Sequence, residues 1–99
     1  MDPENPISRA DVVISTAGRD RGELFYVADT DDQFVTLVNG KNRPVEKPKR
    51  KKRKHVEKVL RSETRVAEKL RSGDKVLNGE LRRDLAFLSR GMQANNLGG

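Results

Sequence analysis

The sequence contains no cysteine and no tryptophan, and only 4% of its residues are aromatic. Because cysteine is absent, disulfide bonds and thiolate metal sites are excluded, which fits a protein of a reducing compartment. No apolar run approaches the length that spans a bilayer, and the first residues, Met-Asp-Pro-Glu-Asn-Pro, lack the apolar stretch of a secretion signal. These absences predict a cytoplasmic protein that does not associate with membranes.

Hydrophobic residues are scarce as well, at 33% of the chain, whereas charged residues reach 36%. A chain of 99 residues with this composition can form one small domain, but it cannot bury most of its length in a core. We therefore expect a compact module with solvated flanks. The proline-containing lead-in at residues 1–8 is expected to be flexible, and residues 93–99 are expected to form a disordered tail.

The net charge of +6 is distributed unevenly along the chain. Residues 1–40 carry three basic and eight acidic side chains, whereas residues 41–60 carry ten basic and two acidic ones. Residues 61–99 carry eight basic and five acidic side chains. One intensely basic segment beside an acidic body indicates a polyanionic partner that binds through that segment.

Two apolar runs near the start of the chain, Val12–Ile14 and Leu24–Ala28, are predicted to form strands. β-Branched and aromatic residues of this kind suit a pleated, half-buried surface. Between the two runs lies the polar segment Thr16–Gly22, whose glycines can adopt the positive φ that a chain reversal needs. The three segments should therefore form a hairpin with a polar loop at its tip.

A third strand is predicted at Phe34–Val38, after a turn rich in aspartate at residues 30–33. The Asn39-Gly40 pair that follows is a strong signal for a tight hairpin turn, so a short return strand is expected around residues 42–45. Four or five short strands within so few residues favour a small, strongly curled sheet.

The C-terminal third of the chain changes to helical periodicity. Apolar residues recur at helical spacing between Val56 and Leu70, and again between Leu81 and Met92. Gly73 is a suitable end for the first helix, and Asn78 is a suitable N-cap for the second. We therefore predict two short helices within residues 61–92.

The hairpin resembles the KOW motif, the strand–loop–strand signature of ribosomal proteins and transcription elongation factors. The resemblance is carried by Val12–Ile14, by the sequence Gly-Arg-Asp-Arg-Gly at Gly18–Gly22, and by Phe25–Val27. It implies a mainly β fold, with a small SH3-like barrel at residues 9–60 and a helical C-terminal extension.

Within that group, the chain is most similar to the fourteenth large-subunit ribosomal protein of archaea and eukaryotes and its small bacterial relatives. The similar segments are Ser15–Gly22, Val45–Lys49 and Lys54–Val56. The resemblance implies a basic arm at residues 47–55 and a role in binding ribosomal RNA. It does not extend beyond Leu60.

The basic arm is the main candidate for contact with RNA. Seven of the eight residues at positions 47–54 are cationic, and Pro48 keeps the start of the segment extended. Because such dense like charges repel one another, the segment is expected to be poorly ordered until it lies against phosphates. The residues expected to contact RNA here are Lys47, Lys49, Arg50, Lys51, Lys52, Arg53, Lys54 and His55.

Arg19 and Arg21 form a second candidate cluster at the tip of the hairpin. A guanidinium group can bind a phosphate with two hydrogen bonds or stack on an unpaired base. The alternative is an internal ion pair with Asp20 or Glu23. The resemblance implies that RNA is contacted by Gly18, Arg19, Arg21 and Gly22, and Arg43 could extend the same patch.

No pattern in the sequence indicates an enzyme, a cofactor, a metal site or a small-molecule substrate. His55 is the single histidine, and without cysteine it would need unusual carboxylate support to bind zinc. The aspartates at residues 29–32 fit turn chemistry rather than a calcium loop. The aromatic side chains Phe25, Tyr26 and Phe34 are expected to lie in the core, which leaves few platforms for base stacking.

These observations favour a non-catalytic, ribosome-associated protein that binds structured RNA. The alternative is a KOW-type protein–protein interaction module, in which ribosomal or transcription proteins are the partners. A third interpretation treats the tract from Pro48 to Lys54 as a nuclear import signal.

Overall fold

The computed structural model describes residues 6–98, and for residues 92–98 it describes the backbone alone. The chain forms a five-stranded antiparallel sheet followed by two helices. Its strands are β1 (Asp11–Ser15), β2 (Leu24–Thr30), β3 (Phe34–Val38), β4 (Lys49–Lys52) and β5 (Val56–Arg61), and its helices are α1 (Arg65–Ser72) and α2 (Asn78–Gly98). The strand order in the sheet is β4-β3-β2-β1-β5.

The sheet is open, because β4 and β5 are its two edges. A single 3-10 turn, Arg53–His55, separates these edge strands in the sequence. A flat five-stranded sheet would hold its edges about 19 Å apart, whereas the chain from Lys52 to Val56 can span at most about 14 Å. The sheet therefore curls until its edges approach each other at this end. The mainly β fold is confirmed at this level, but the closed barrel that we expected is not.

Both faces of the curled sheet are buried, and this explains why the apolar runs of β1 and β2 do not alternate with polar residues. One face packs against the two helices, and the other is enclosed by the curl of the sheet. The helix-facing cluster contains Ala10, Val12, Tyr26, Val38, Val66, Ala67, Val76, Leu81 and Leu85. The enclosed cluster contains Ile7, Val13, Phe25, Val27, Val35, Leu37 and Val56.

Two expected boundaries, at the lead-in and at the C-terminal tail, differ from the structure. The lead-in is expected to be flexible, yet Ile7 is buried in the enclosed cluster, while residues 1–5 lie outside the described residues. The segment from Val56 has apolar residues at helical spacing, but it forms β5, as the β assignment of residues 9–60 predicts, and it pairs with β1 along its length. Helix α2 continues past Gly91 to Gly98, through the segment expected to be a disordered tail, and Gly99 is not described.

The connection between β3 and β4 also differs from the tight hairpin that Asn39-Gly40 predicts. Gly40 has a φ of +74°, but Asn39 does not have the positive φ that a type I′ turn requires. The Asn39 side chain instead accepts the backbone amides of Lys41 and Arg43, each at 3.0 Å, which shapes a longer loop. The return strand is displaced as a result, from residues 42–45 to β4 within the basic arm.

A buried polar network joins the helices to the sheet. The Tyr26 hydroxyl donates to Asp84 of α2, and the hydroxyl of Thr64, the N-cap of α1, donates to the same carboxylate at 2.8 Å. Burial and the Asp84 carboxylate raise the pKa of Tyr26 to about 12, because both disfavour a phenolate there. Among residues 6–98 there is no helix whose length and apolar character would let it cross a membrane.

Candidate nucleic-acid interface

The hairpin loop and the basic arm, which are far apart in the sequence, are joined in the structure by Asp20. Its Oδ1 atom accepts a hydrogen bond from Lys51 Nζ at 2.6 Å, and its Oδ2 atom lies 2.9 Å from Lys49 Nζ. Ser15 Oγ adds a third contact, donating to Oδ1 at 2.7 Å. We call this cluster of Asp20, Lys49 and Lys51 the Asp20 bridge.

Strand register explains why these two lysines reach the loop. Lys49 lies opposite Leu37 and Lys51 lies opposite Val35 in the β3–β4 ladder, so both side chains share the enclosed face of the sheet. Lys51 is only 8% exposed, and its ammonium also donates to the Ala17 carbonyl at 2.6 Å. A buried ammonium needs such partners, because an unpaired charge in the interior is very unfavourable.

The ionised form of Asp20 is strongly stabilised. Burial opposes ionisation, but the contacts from Lys51, Ser15 and Lys49 outweigh it and hold the pKa of Asp20 far below its ordinary value. The loop around Asp20 turns at two glycines, Gly18 with a φ of +87° and Gly22 with a φ of +90°. Residues with a Cβ rarely adopt this conformation, which accounts for glycine at both positions.

Arg19 and Arg21 are both exposed on either side of the buried Asp20. Within the part of the chain that the structure describes, their side chains make no ion pair or hydrogen bond. The alternative, an internal ion pair with Asp20 or Glu23, is therefore not formed; Asp20 is engaged by the two lysines instead. Both guanidinium groups are available to an external ligand.

The other side of β4 is organised differently. Arg50 lies over the ring of Phe34, with 3.8 Å between its Cζ atom and the ring centroid, and its Nη2 atom donates to Asp31 Oδ2 at 3.0 Å. Asp31 Oδ1 accepts the backbone amides of Gln33 and Phe34, at 2.9 and 2.8 Å. These amides and Arg50 hold the pKa of Asp31 below its ordinary value. The aspartate-rich turn is thus confirmed as turn chemistry.

Arg53 is engaged with backbone carbonyls rather than with a carboxylate. It donates from Nη2 to Ile7 O at 2.8 Å and from Nη1 to Asp31 O at 3.2 Å. The adjacent His55 is half-buried, and its carbonyl accepts the amide of Thr16 at 2.9 Å. The 3-10 turn therefore lies directly against the start of the hairpin loop.

The basic arm is ordered rather than poorly ordered, and the strand explains how its charges are accommodated. Successive side chains of β4 point to opposite faces, so neighbouring cations are separated. Lys49 and Lys51 share the single negative charge of Asp20, and Arg50 is paired with Asp31. Repulsion within the arm is correspondingly reduced.

Three cations of the arm, Lys47, Lys52 and Lys54, are exposed and have no ion pair with any described residue. Arg43 is half-buried on the loop between β3 and β4, far from the hairpin loop in the sequence. Its backbone amide donates to the Asn39 side chain, and its carbonyl accepts the backbone amide of Asn39; these contacts do not involve the Arg43 side chain. The sequence-predicted site is therefore divided. One group of residues surrounds Asp20, another lies around Phe34, and Arg43 and Lys47 belong to the loop that precedes β4.

Sequence reasoning missed Asp20, Ser15, Asp31 and Phe34 as residues that arrange the cations. A signal for Asp20 was present, because a single acidic residue between two arginines in a tight loop invites a structural role. No comparable signal marks Phe34. Among residues 6–98, no group of three or more His, Cys, Asp or Glu side chains is arranged to hold a metal ion.

Comparisons with known proteins do not assign this chain to a family. No model of a known protein family matches the sequence, and a search of curated proteins finds no significant match.

Proposed function

We propose that this chain is a non-catalytic RNA-binding protein of the KOW type that associates with ribosomal RNA. In this proposal the curled sheet is an SH3-like barrel, and α1 and α2 are its C-terminal extension. The ligand is structured RNA, bound mainly through its phosphates. The proposal rests on the resemblance of the hairpin to the KOW motif and on the arrangement of charge around β4.

The Asp20 bridge is the observation that most supports the proposal. It fastens the hairpin loop to β4 and leaves Arg19 and Arg21 exposed beside the strand. Because β4 is an edge of the sheet, a polymer lying along it can be reached by cations on both sides of the strand. We call the exposed, unpaired cations of this region the cationic edge: Arg19, Arg21, Lys47, Lys52 and Lys54.

The number of phosphates bound follows from this division of the charges. Lys49, Arg50 and Lys51 already have carboxylate partners in the protein, so they would contribute little to counterion release. If each residue of the cationic edge neutralises one phosphate, the logarithm of the binding constant should fall against the logarithm of salt concentration with a slope of about −3.5 to −4.5.

The proposal is tested by titrating a ribosomal RNA stem–loop into the protein at several salt concentrations. Replacing Lys47, Lys52 and Lys54 together with glutamine should reduce the magnitude of the slope by about 2 to 3. A matched control carries the same loss of charge in the helical part of the chain, at Arg65, Lys75 and Arg90. This control should leave the slope nearly unchanged.

Binding that is independent of salt would contradict the proposal, as would an equal loss of affinity in the control variant. The ribosomal part is tested separately, by sedimentation of the protein with ribosomes at low and high salt. A partner recovered from cells that resists nuclease treatment would instead favour the interaction with ribosomal or transcription proteins.

A further inference from the structure

The stack of Arg50 on Phe34 has a surface that the proposed phosphate contacts do not use. Phe34 is half-buried and covers one face of the guanidinium, and Asp31 fixes the edge of the group through Nη2. The Arg50 side chain is nevertheless 62% exposed. A flat cation is therefore held in one orientation while its outer face remains open to solvent.

The surroundings of this cation form a shallow depression. It is lined by Asp31, Asp32, Gln33, Phe34 and Arg50. The turn that supplies its wall is held by three hydrogen bonds, since Asp31 accepts two backbone amides and Arg53 donates to the Asp31 carbonyl. Little conformational freedom is left to lose when a ligand enters, which favours binding.

The charges in the depression select the chemistry of the ligand. Asp31 and Asp32 would repel a phosphate, so this region differs from the cationic edge in what it can bind. The carboxylate of Asp31 is occupied by two amides and by Arg50. The exposed carboxylate of Asp32 accepts no hydrogen bond from any described residue. A suitable ligand is flat, neutral and rich in hydrogen-bond donors along one edge.

We propose that an unpaired guanine of the bound RNA stacks on the outer face of Arg50 and donates hydrogen bonds from its Watson–Crick edge to Asp32. Unpaired bases stack on arginine planes and are recognised along this edge. Guanine presents two adjacent donors there, the ring N1–H and the exocyclic amino group, which a carboxylate can accept together. Adenine and uracil do not present two adjacent donors. This inference rests on the proposed function, because the guanine belongs to the RNA that the cationic edge holds.

The test uses RNA stem–loops that differ at one loop position, which carries guanine, adenine, uracil or an abasic site. The full chain should bind the guanine RNA about tenfold more tightly than the abasic RNA, the order expected for one stacked base. Arg50→Lys keeps the charge but removes the flat stacking surface, so this preference should be lost. Asp32→Asn should reduce the preference for guanine over adenine and retain the stacking contribution.

Lys52→Gln is the matched control, because Lys52 lies on the same side of β4 as Arg50, is exposed and has no ion pair with a described residue. It should weaken binding of all four RNAs by the same factor. Equal binding of the four RNAs by the unaltered protein would overturn the guanine site and leave salt-dependent RNA binding intact. Full retention of the preference in Arg50→Lys would also overturn it. Failure of every RNA to bind would overturn both proposals.

Discussion

Replacing Asp20 with asparagine should destabilise the fold strongly, because it leaves the buried Lys51 ammonium without its counter-charge. The side chains of Asp20 and Lys51 are only 7% and 8% exposed, and their charged atoms are 2.6 Å apart. Breaking a buried ion pair by removing one partner costs about 3 to 5 kcal/mol. Lys49 is 26% exposed and can turn toward water, so its lost contact adds little.

The lower end of this range is expected, because Lys51 retains its hydrogen bond to the Ala17 carbonyl. A loss of about 3 kcal/mol in a domain of this size lowers the melting temperature by about 12 to 24 °C. Urea denaturation followed by circular dichroism measures the free energy of unfolding directly. Adding Lys51→Met to the Asp20→Asn variant removes the unpaired charge, so the double variant should recover most of the lost stability.

The pH dependence of the unaltered protein provides a second measurement. The pKa of Asp20 is lowered in the folded state, so its contribution to stability is complete above the unfolded pKa of 3.8 and declines as the pH falls below it. The decline approaches about 1.4 kcal/mol per pH unit, or about 2 kcal/mol between pH 4 and pH 2. The Asp20→Asn variant should lack this component.

A change of less than about 1 kcal/mol in the free energy of unfolding of Asp20→Asn, the range of an exposed ion pair, would show that the fold does not depend on this buried counter-charge. A double variant less stable than the single one would contradict the prediction as well, because it would show that Lys51 contributes to the fold independently of Asp20.

Two further predictions concern the attachment of the helices to the sheet. Tyr26 is the single tyrosine, so its ultraviolet titration should have a midpoint near 12 in the folded protein and near 10 in denaturant, and Asp84→Asn should lower the folded midpoint. Because the pKa of Tyr26 is raised in the folded state, the contribution of its buried hydroxyl to stability is present below pH 10 and is lost as the pH rises toward 12. A titration midpoint that is the same in the folded and denatured protein would contradict the buried contact with Asp84. Gly40→Ala should destabilise the protein by several kcal/mol in thermal denaturation, since the added Cβ would overlap the Asn78 carbonyl at the start of α2. Gly22→Ala also requires a positive φ but has open space around it, so it should cost only about 1 to 2 kcal/mol, and equal losses would contradict the steric argument.

Local sequence patterns were sufficient to predict an element wherever the preferences of its own residues decide the backbone conformation. The third strand was predicted at its observed bounds, Phe34–Val38, because β-branched residues suit the sheet whatever their partners are. Gly73 was predicted to end the first helix, and it does so with a φ of +79°. Residue spacing was ambiguous where contacts between distant residues decide, as at Val56, which belongs to a run with helical spacing but pairs as an edge strand.

Residue order alone was enough to locate the uneven charge, the hairpin with two glycines in its loop, and the dense cationic tract. Which of those cations have carboxylate partners depends on the folded chain. Lys51 is 31 residues from Asp20 in the sequence, and Arg50 is 19 residues from Asp31. Ion pairing depends on distances of a few ångströms. The register between β3 and β4 sets the face on which each cation lies, and the folded chain places Asp20 and Asp31 within reach of those faces. That register divides a uniform-looking tract into cations that hold the fold together and cations that remain exposed to a partner.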